Sequence, residues 1–249
     1  MLWIHLQTLF SFRAYHKLIF ATRWQLIGFA VYLWMLSLLV FYGYASGFVK
    51  KNLPVFLKNF PQVTFEKGVL TAPDKTVYAY LPGSDLKIAF ESARQTPPTL
   101  PEFARQNISM WVSKNTLYMP GIGGVQAHPI PPALSATTTP QFLAKHQPVL
   151  AASLTATALF AALFFIPLVF AFNICLAAGV GFLFRALTFK WVPGGIIWRW
   201  ALFLQGPLAV LWYVQLWYDI PLFMLAQTIL CIIYIQQIFN LIPEGKNAY

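Results

Sequence analysis

Residues 147–184 read QPVLAASLTATALFAALFFIPLVFAFNICLAAGVGFLF, 38 consecutive positions without an Asp, Glu, Lys, Arg or His. About 20 apolar residues suffice to cross a bilayer, so this stretch is too long for one perpendicular span and short for two. Two helices would need a polar turn between them, and the only strongly polar residue nearby is Asn173. Pro167 sits near the middle. The stretch therefore reads as one long, tilted or kinked helix whose cytoplasmic end extends past the bilayer.

The composition around it agrees. Of 249 residues, 58% are hydrophobic and only 10% charged, against about 25% charged in soluble domains, and the mean hydropathy is +0.61. A soluble single-domain enzyme and a disordered chain are both excluded on these grounds. Two cysteines exclude a disulfide-rich secreted scaffold. A net charge of +10 raises nucleic acid as a partner, but the 17 Lys and Arg flank apolar segments as topology signals do. Nucleic-acid binding is therefore not expected.

Three further apolar runs complete the membrane part. Residues 24–49 follow a 23-residue basic leader and exceed the 7 to 15 apolar residues of a signal peptide, so they read as a retained helix. Residues 196–217 and 221–241 form the third and fourth spans, with Asp219 at the turn and Gly206-Pro207 expected to kink the third. The map is leader 1–23, span 24–49, external domain 50–146, long span 147–187, loop 188–195, spans 196–217 and 221–241, and tail 242–249. Counted over the short flanks, Lys and Arg number three before the first span, three around the loop between the second and third (Arg185, Lys190 and Arg199), and none at Asp219. Both chain ends are then expected in the cytoplasm of a bacterial inner membrane, with residues 50–146 outside.

The external segment has another character. It carries five of the seven acids and most of the prolines, and reads as a small β-rich domain. Residues 63–70 suggest a strand, a Lys-Gly turn and a second strand. Residues 76–81 and 86–90 are further strands, and 108–112 with 116–119 a hairpin around Ser113-Lys114-Asn115. A short helix is expected at 102–106, and 120–140 reads as an irregular linker. The fold class is thus membrane α-helical, four transmembrane helices with a small external α+β domain between helices 1 and 2.

The leader SFRAY at 11–15, the external FPQVTFEKGVL at 60–70, the strands at 86–90 and 108–119 and three closing helices together resemble the bacterial domain-of-unknown-function family 1189. Some members of that family carry a maltodextrose-utilisation label, so the resemblance implies at most a loose link to transport. It brings no catalytic residues to transfer. The chain departs from the family in its aromatic content of 17%.

Motifs for chemistry are scarce. His5, His16, His128 and His146 show no ligand spacing, and Cys175 and Cys231 lie inside spans and read as small apolar residues. Neither metal nor cofactor is expected. The external acids Glu66, Asp74, Asp85, Glu91 and Glu102 are dispersed among bases and read as a solvated surface. Gly121-Ile122-Gly123-Gly124 lacks the strand-to-helix context of a phosphate loop.

What enters the spans is amide and aromatic. Asn173, Gln205, Gln215, Gln227, Gln236, Gln237 and Asn240 each need a partner in hydrocarbon. Gln237 and Asn240 share a helical face and Gln236 is rotated by about 100°. One amide surface is therefore expected to pack inside the chain and the other to meet a neighbouring subunit. Gly179 and Gly181 offer a small-residue surface for close helix approach. Trp191, Trp198 and Trp200 at the start of the third span read as an interfacial belt. Beside them Arg185, Lys190 and Arg199 are candidate contacts for lipid headgroups. The reading that follows is a non-catalytic accessory, scaffolding or assembly subunit of a larger membrane complex, with membrane lipid and other membrane subunits as partners. A transporter or permeation component is the alternative.

Overall fold

A computed structural model describes residues 1–218 and 222–242. Asp219, Pro221, Glu244 and Lys246, and with them the expected turn and most of the tail, lie outside the described residues. Contacts divide the chain into two units, one made of residues 1–45 and 156 onward, the other of Ser46–Thr155. Four helical stretches are long and apolar enough to cross a membrane: α3 (Arg23–Lys58), α5 (Pro140–Thr188), α6 (Gly194–Phe203) taken with α7 (Gln205–Trp217), and α8 (Phe223–Asn240).

The first unit is helical. The leader, read from sequence only as a basic tail before the first span, folds into α1 (Leu2–Phe10) and α2 (Phe12–Leu18). Its apolar residues Tyr15, Leu18 and Ile19 join one core with Phe29 and Leu33 of α3, Ile197 and Trp200 of α6, and Ile235 and Phe239 of α8. Burying that apolar surface is what holds two helices too short to be stable alone. The third span is broken at Leu204 rather than smoothly kinked. Pro207 has no N–H to give the carbonyl of Phe203, so the ladder is interrupted one turn ahead of it.

Helices α3 and α5 outrun the span limits of 24–49 and 147–187. At 1.5 Å per residue the 36 residues of α3 and the 49 of α5 extend about 54 and about 74 Å, well beyond ~30 Å of hydrocarbon. Charge marks where hydrocarbon ends, whereas backbone hydrogen bonding sets where a helix ends. Lys50 and Lys51 therefore stop the first without stopping the second, and Leu53 of the extension is buried.

The second unit holds two sheets. Strands β1 (Thr64–Glu66) and β2 (Val69–Ala72) form a hairpin closed by Lys67 and Gly68, both at positive φ (50° and 79°), as a type I′ turn requires. A five-stranded sheet runs β3 (Val77–Tyr80), β4 (Lys87–Phe90), β5 (Met110–Ser113), β6 (Thr116–Gly121) and β7 (Gly124–Pro129) in spatial order. The pair β4 and β5 is parallel, which demands a crossover. α4 (Leu100–Gln106) supplies it, started by a capping box between Thr99 and Glu102.

The stretch 120–140 is not an irregular linker. β7 pairs antiparallel with β6 from Thr116↔Pro129 to Gly121↔Gly124, and β8 (Ala136–Thr137) pairs with β1. The Gly and Pro content that suggested a loop is tolerated because β7 is an edge strand, where Pro129 forfeits no ladder bond. Two cores fill this unit: Val63, Leu70, Phe90 and Val112, with Phe56 and Phe60 packed on them, and Ala89, Phe103, Ile108 and Trp111.

Candidate functional site

On α8 the apolar residues choose the inner face. Taking Gln236 as zero at 100° per residue, Cys231, Ile235, Ile238 and Phe239 fall between about −60° and −160°, and all four are buried. Asn240 at about 40° and Gln237 at about 100° lie opposite them, and Gln236, Gln237 and Asn240 are all exposed. The expectation that one amide surface packs inside the chain is therefore corrected. These three amides fall within one arc, and Cys231, Ile235, Ile238 and Phe239 occupy the other side together with Gln227, the amide of α8 that is buried. Exposed Ile229, Ile232 and Ile233 extend the same outward face.

The remaining spanning amides behave differently. Asn173, Gln205 and Gln227 are buried. Gln205 donates through Nε2 to the Ala201 carbonyl at 2.9 Å, and its Oε1 is buried without a hydrogen-bond partner. The two candidate glycines do not share a face. A Cβ on Gly181 would lie 2.6 Å from Cγ2 of Ile197, so this glycine lets α5 approach α6, whereas Gly179 has open space.

Of the three cations around the loop that joins α5 to α6, Lys190 and Arg199 close helix ends. Lys190 donates through Nζ to the carbonyls of Phe239 (3.0 Å) and Ile242 (2.9 Å) at the end of α8. Arg199 donates to the carbonyl of Ile19 and, at 3.5 Å, to that of Ala21, just after α2. Arg185 reaches the Val192 carbonyl at 3.2 Å. Last-turn carbonyls have no intrahelical partner, and a cation there satisfies both the orphan acceptor and the helix dipole. Trp191 and Trp198 are exposed, but Trp200 is fully buried and donates through Nε1 to the Tyr15 carbonyl at 3.1 Å. It is a core residue and not part of a belt.

Sequence spacing conceals the role of the leader in this arrangement. His5 is buried, with Nε2 donating to the Gly206 carbonyl at 3.3 Å and Nδ1 3.2 Å from the Tyr32 hydroxyl. Tyr234 donates to the Leu9 carbonyl at 2.9 Å. Gly206 makes room for this packing, because a Cβ there would meet Thr8 Oγ1 at 2.6 Å.

In the second unit the acids are not uniformly solvated. Arg94 donates to both carboxylate oxygens of Glu102 at 2.9 Å, and Glu91 lies 3.7 Å away. The guanidinium also stacks 4.4 Å from the Trp111 ring centre. The Arg94 guanidinium, with help from the Thr99 N–H, pulls the Glu102 carboxyl down to about 2. Among the described residues no group of three or more His, Cys, Asp or Glu could hold a metal ion. The same unit holds a cavity of about 590 Å³ between residues of α3, α5 and the sheet.

These features define a class, a helical chain with four stretches able to cross a membrane and a small mixed β domain between the first two. No family model, no curated protein and no solved structure matches the chain.

Proposed function

We propose that the chain is a multi-pass protein of a bacterial inner membrane, related to family 1189, and that it works as a non-catalytic accessory or scaffolding subunit of a larger membrane complex. In this reading both termini are cytoplasmic and residues 50–146 form an external interaction domain. The observation that carries it is the outward face of α8. Its most apolar window is only 28% buried inside the chain, and the surface it leaves open carries Gln236, Gln237 and Asn240. In hydrocarbon an amide is better satisfied by another helix than by lipid. Trp191 and Trp198, left exposed, suit anchoring at the headgroup level, and Arg185, Lys190 and Arg199 retain further N–H donors for lipid phosphates.

The test is isolation from native membranes in mild detergent with Gln236→Leu, Gln237→Leu and the double variant. An interhelical amide bond worth about 0.6–2 kcal/mol corresponds to about 3- to 30-fold in association. The double variant should lose at least one co-eluting membrane protein to that extent while its own yield and melting temperature hold. Identical co-elution in all three variants would refute the reading.

A further inference from the structure

The cavity in the second unit lies along the extension of α3 and the start of α5, closed on the sheet side by residues such as Ile88. Its lining spans Phe48 to Leu57 on α3 and Phe142 to Leu154 on α5, about 14 and about 18 Å at 1.5 Å per residue. That is close to one leaflet's hydrocarbon, half of ~30 Å. The volume of about 590 Å³ falls within the roughly 300–1,000 Å³ of small-molecule sites.

The three polar residues in the lining are already engaged with backbone. Asn52 donates to the Phe48 carbonyl at 2.9 Å, His146 Nδ1 to that of Phe142 at 2.8 Å, and the Thr138 hydroxyl to those of Pro61 and Val63 at 3.2 Å. A ligand is therefore met almost wholly by hydrocarbon. The walls also belong to both points where the chain leaves its uncharged runs: Phe48 and Val49 close the run of 24–49, and Val149, Leu150 and Leu154 fall in that of 147–184. Residues 46–63 and 138–155 contain Lys50, Lys51, Lys58 and Lys145 and no acid, and all four lysines are exposed.

We infer that this cavity holds one acyl chain of an anionic glycerophospholipid, with the headgroup phosphate drawn to the exposed lysines of the two segments that wall it, Lys50, Lys51, Lys58 and Lys145. Length, lining and charge each select that occupant. A polar metabolite would meet a lining that is almost wholly hydrocarbon, and a neutral apolar molecule would leave the lysines unused. The inference rests on the membrane reading proposed above.

The experiment uses the full chain in detergent, mixed with phosphatidylglycerol bearing a diazirine on one acyl chain, irradiated and mapped by peptide mass spectrometry. Adducts are expected on residues 48–57 and 142–154. They should fall by about fivefold or more in the cavity-filling double variant Leu57→Trp, Leu150→Trp, while adducts on the exposed face of α5 around Phe160, Phe164 and Phe165 stay constant. In the unaltered protein, unlabelled phosphatidylglycerol should compete better than phosphatidylcholine, and high salt should narrow that difference. Labelling at 160–165 with none at the cavity segments, or cavity labelling indifferent to competitor, overturns the acyl-chain site and leaves the membrane reading standing. Loss of labelling at 160–165 as well overturns both.

Discussion

Arg94 shows how much one side chain can organise in a domain without disulfides. It binds both oxygens of Glu102, donates through Nε to the Thr96 carbonyl at 2.8 Å and lies over the Trp111 ring, so it ties the start of α4 to β5. Arg94→Met should destabilise the second unit by about 1–3 kcal/mol, since hydrogen bonds to charged groups fall in that range and the pair is only partly shielded. Limited proteolysis of residues 91–107 checks it, and unchanged protection would show the cluster to be ornamental. The pH dependence has a definite sign. Glu102 is held at about 2 against an ordinary 4.5, so its contribution is present above about 4.5 and lost as pH falls toward about 2. Glu102→Gln should flatten thermal stability across that window, measured on the second unit's own unfolding transition. At the same scale, Lys190→Met removes the donor to two carbonyls at the end of α8 and should lower stability in detergent by about 1–2 kcal/mol.

Between elements, two glycines decide how closely helices approach. Gly206 admits Thr8 and His5 of α1 against α7, and Gly181 admits Ile197 of α6 against α5. An alanine at either position pushes its methyl group into contacts of 2.6 Å, and the neighbours at Gly181 are a β-branched side chain with little freedom to move. Gly206→Ala and Gly181→Ala should each cost about 1–3 kcal/mol by overpacking, read as lower melting temperatures in detergent. Gly179→Ala, with nothing within 4 Å, should be neutral or gain up to ~1 kcal/mol of helix propensity. Equal behaviour of all three would mean that these contacts do not set the helix spacing.

Across the whole molecule, the proposed orientation can be tested by thiol labelling. In a background of Cys175→Ser and Cys231→Ala, Ser84→Cys should react with an impermeant reagent in cells whose outer envelope is permeabilised, and Thr188→Cys should not. Both positions are exposed, so the difference reports the side of the membrane rather than burial. The reverse pattern would mean that the span count is off by one. What the sequence by itself determined is the set of apolar stretches, the hairpin at Lys67-Gly68 and the presence of a short helix at 102–106, whose start the structure moves up to Leu100. Each of these is decided locally, by transfer free energy summed over neighbours or by a turn's own φ requirement. Only the tertiary structure decided that α8 turns Gln236, Gln237 and Asn240 outward while burying Gln227, that Arg199 caps a helix 180 residues away, that the leader is core, that β7 closes a sheet and that α3, α5 and the sheet enclose a cavity. These outcomes depend on partners remote in the chain, which compete for the same buried volume and the same orphan carbonyls, and no local pattern of residues records which of them wins.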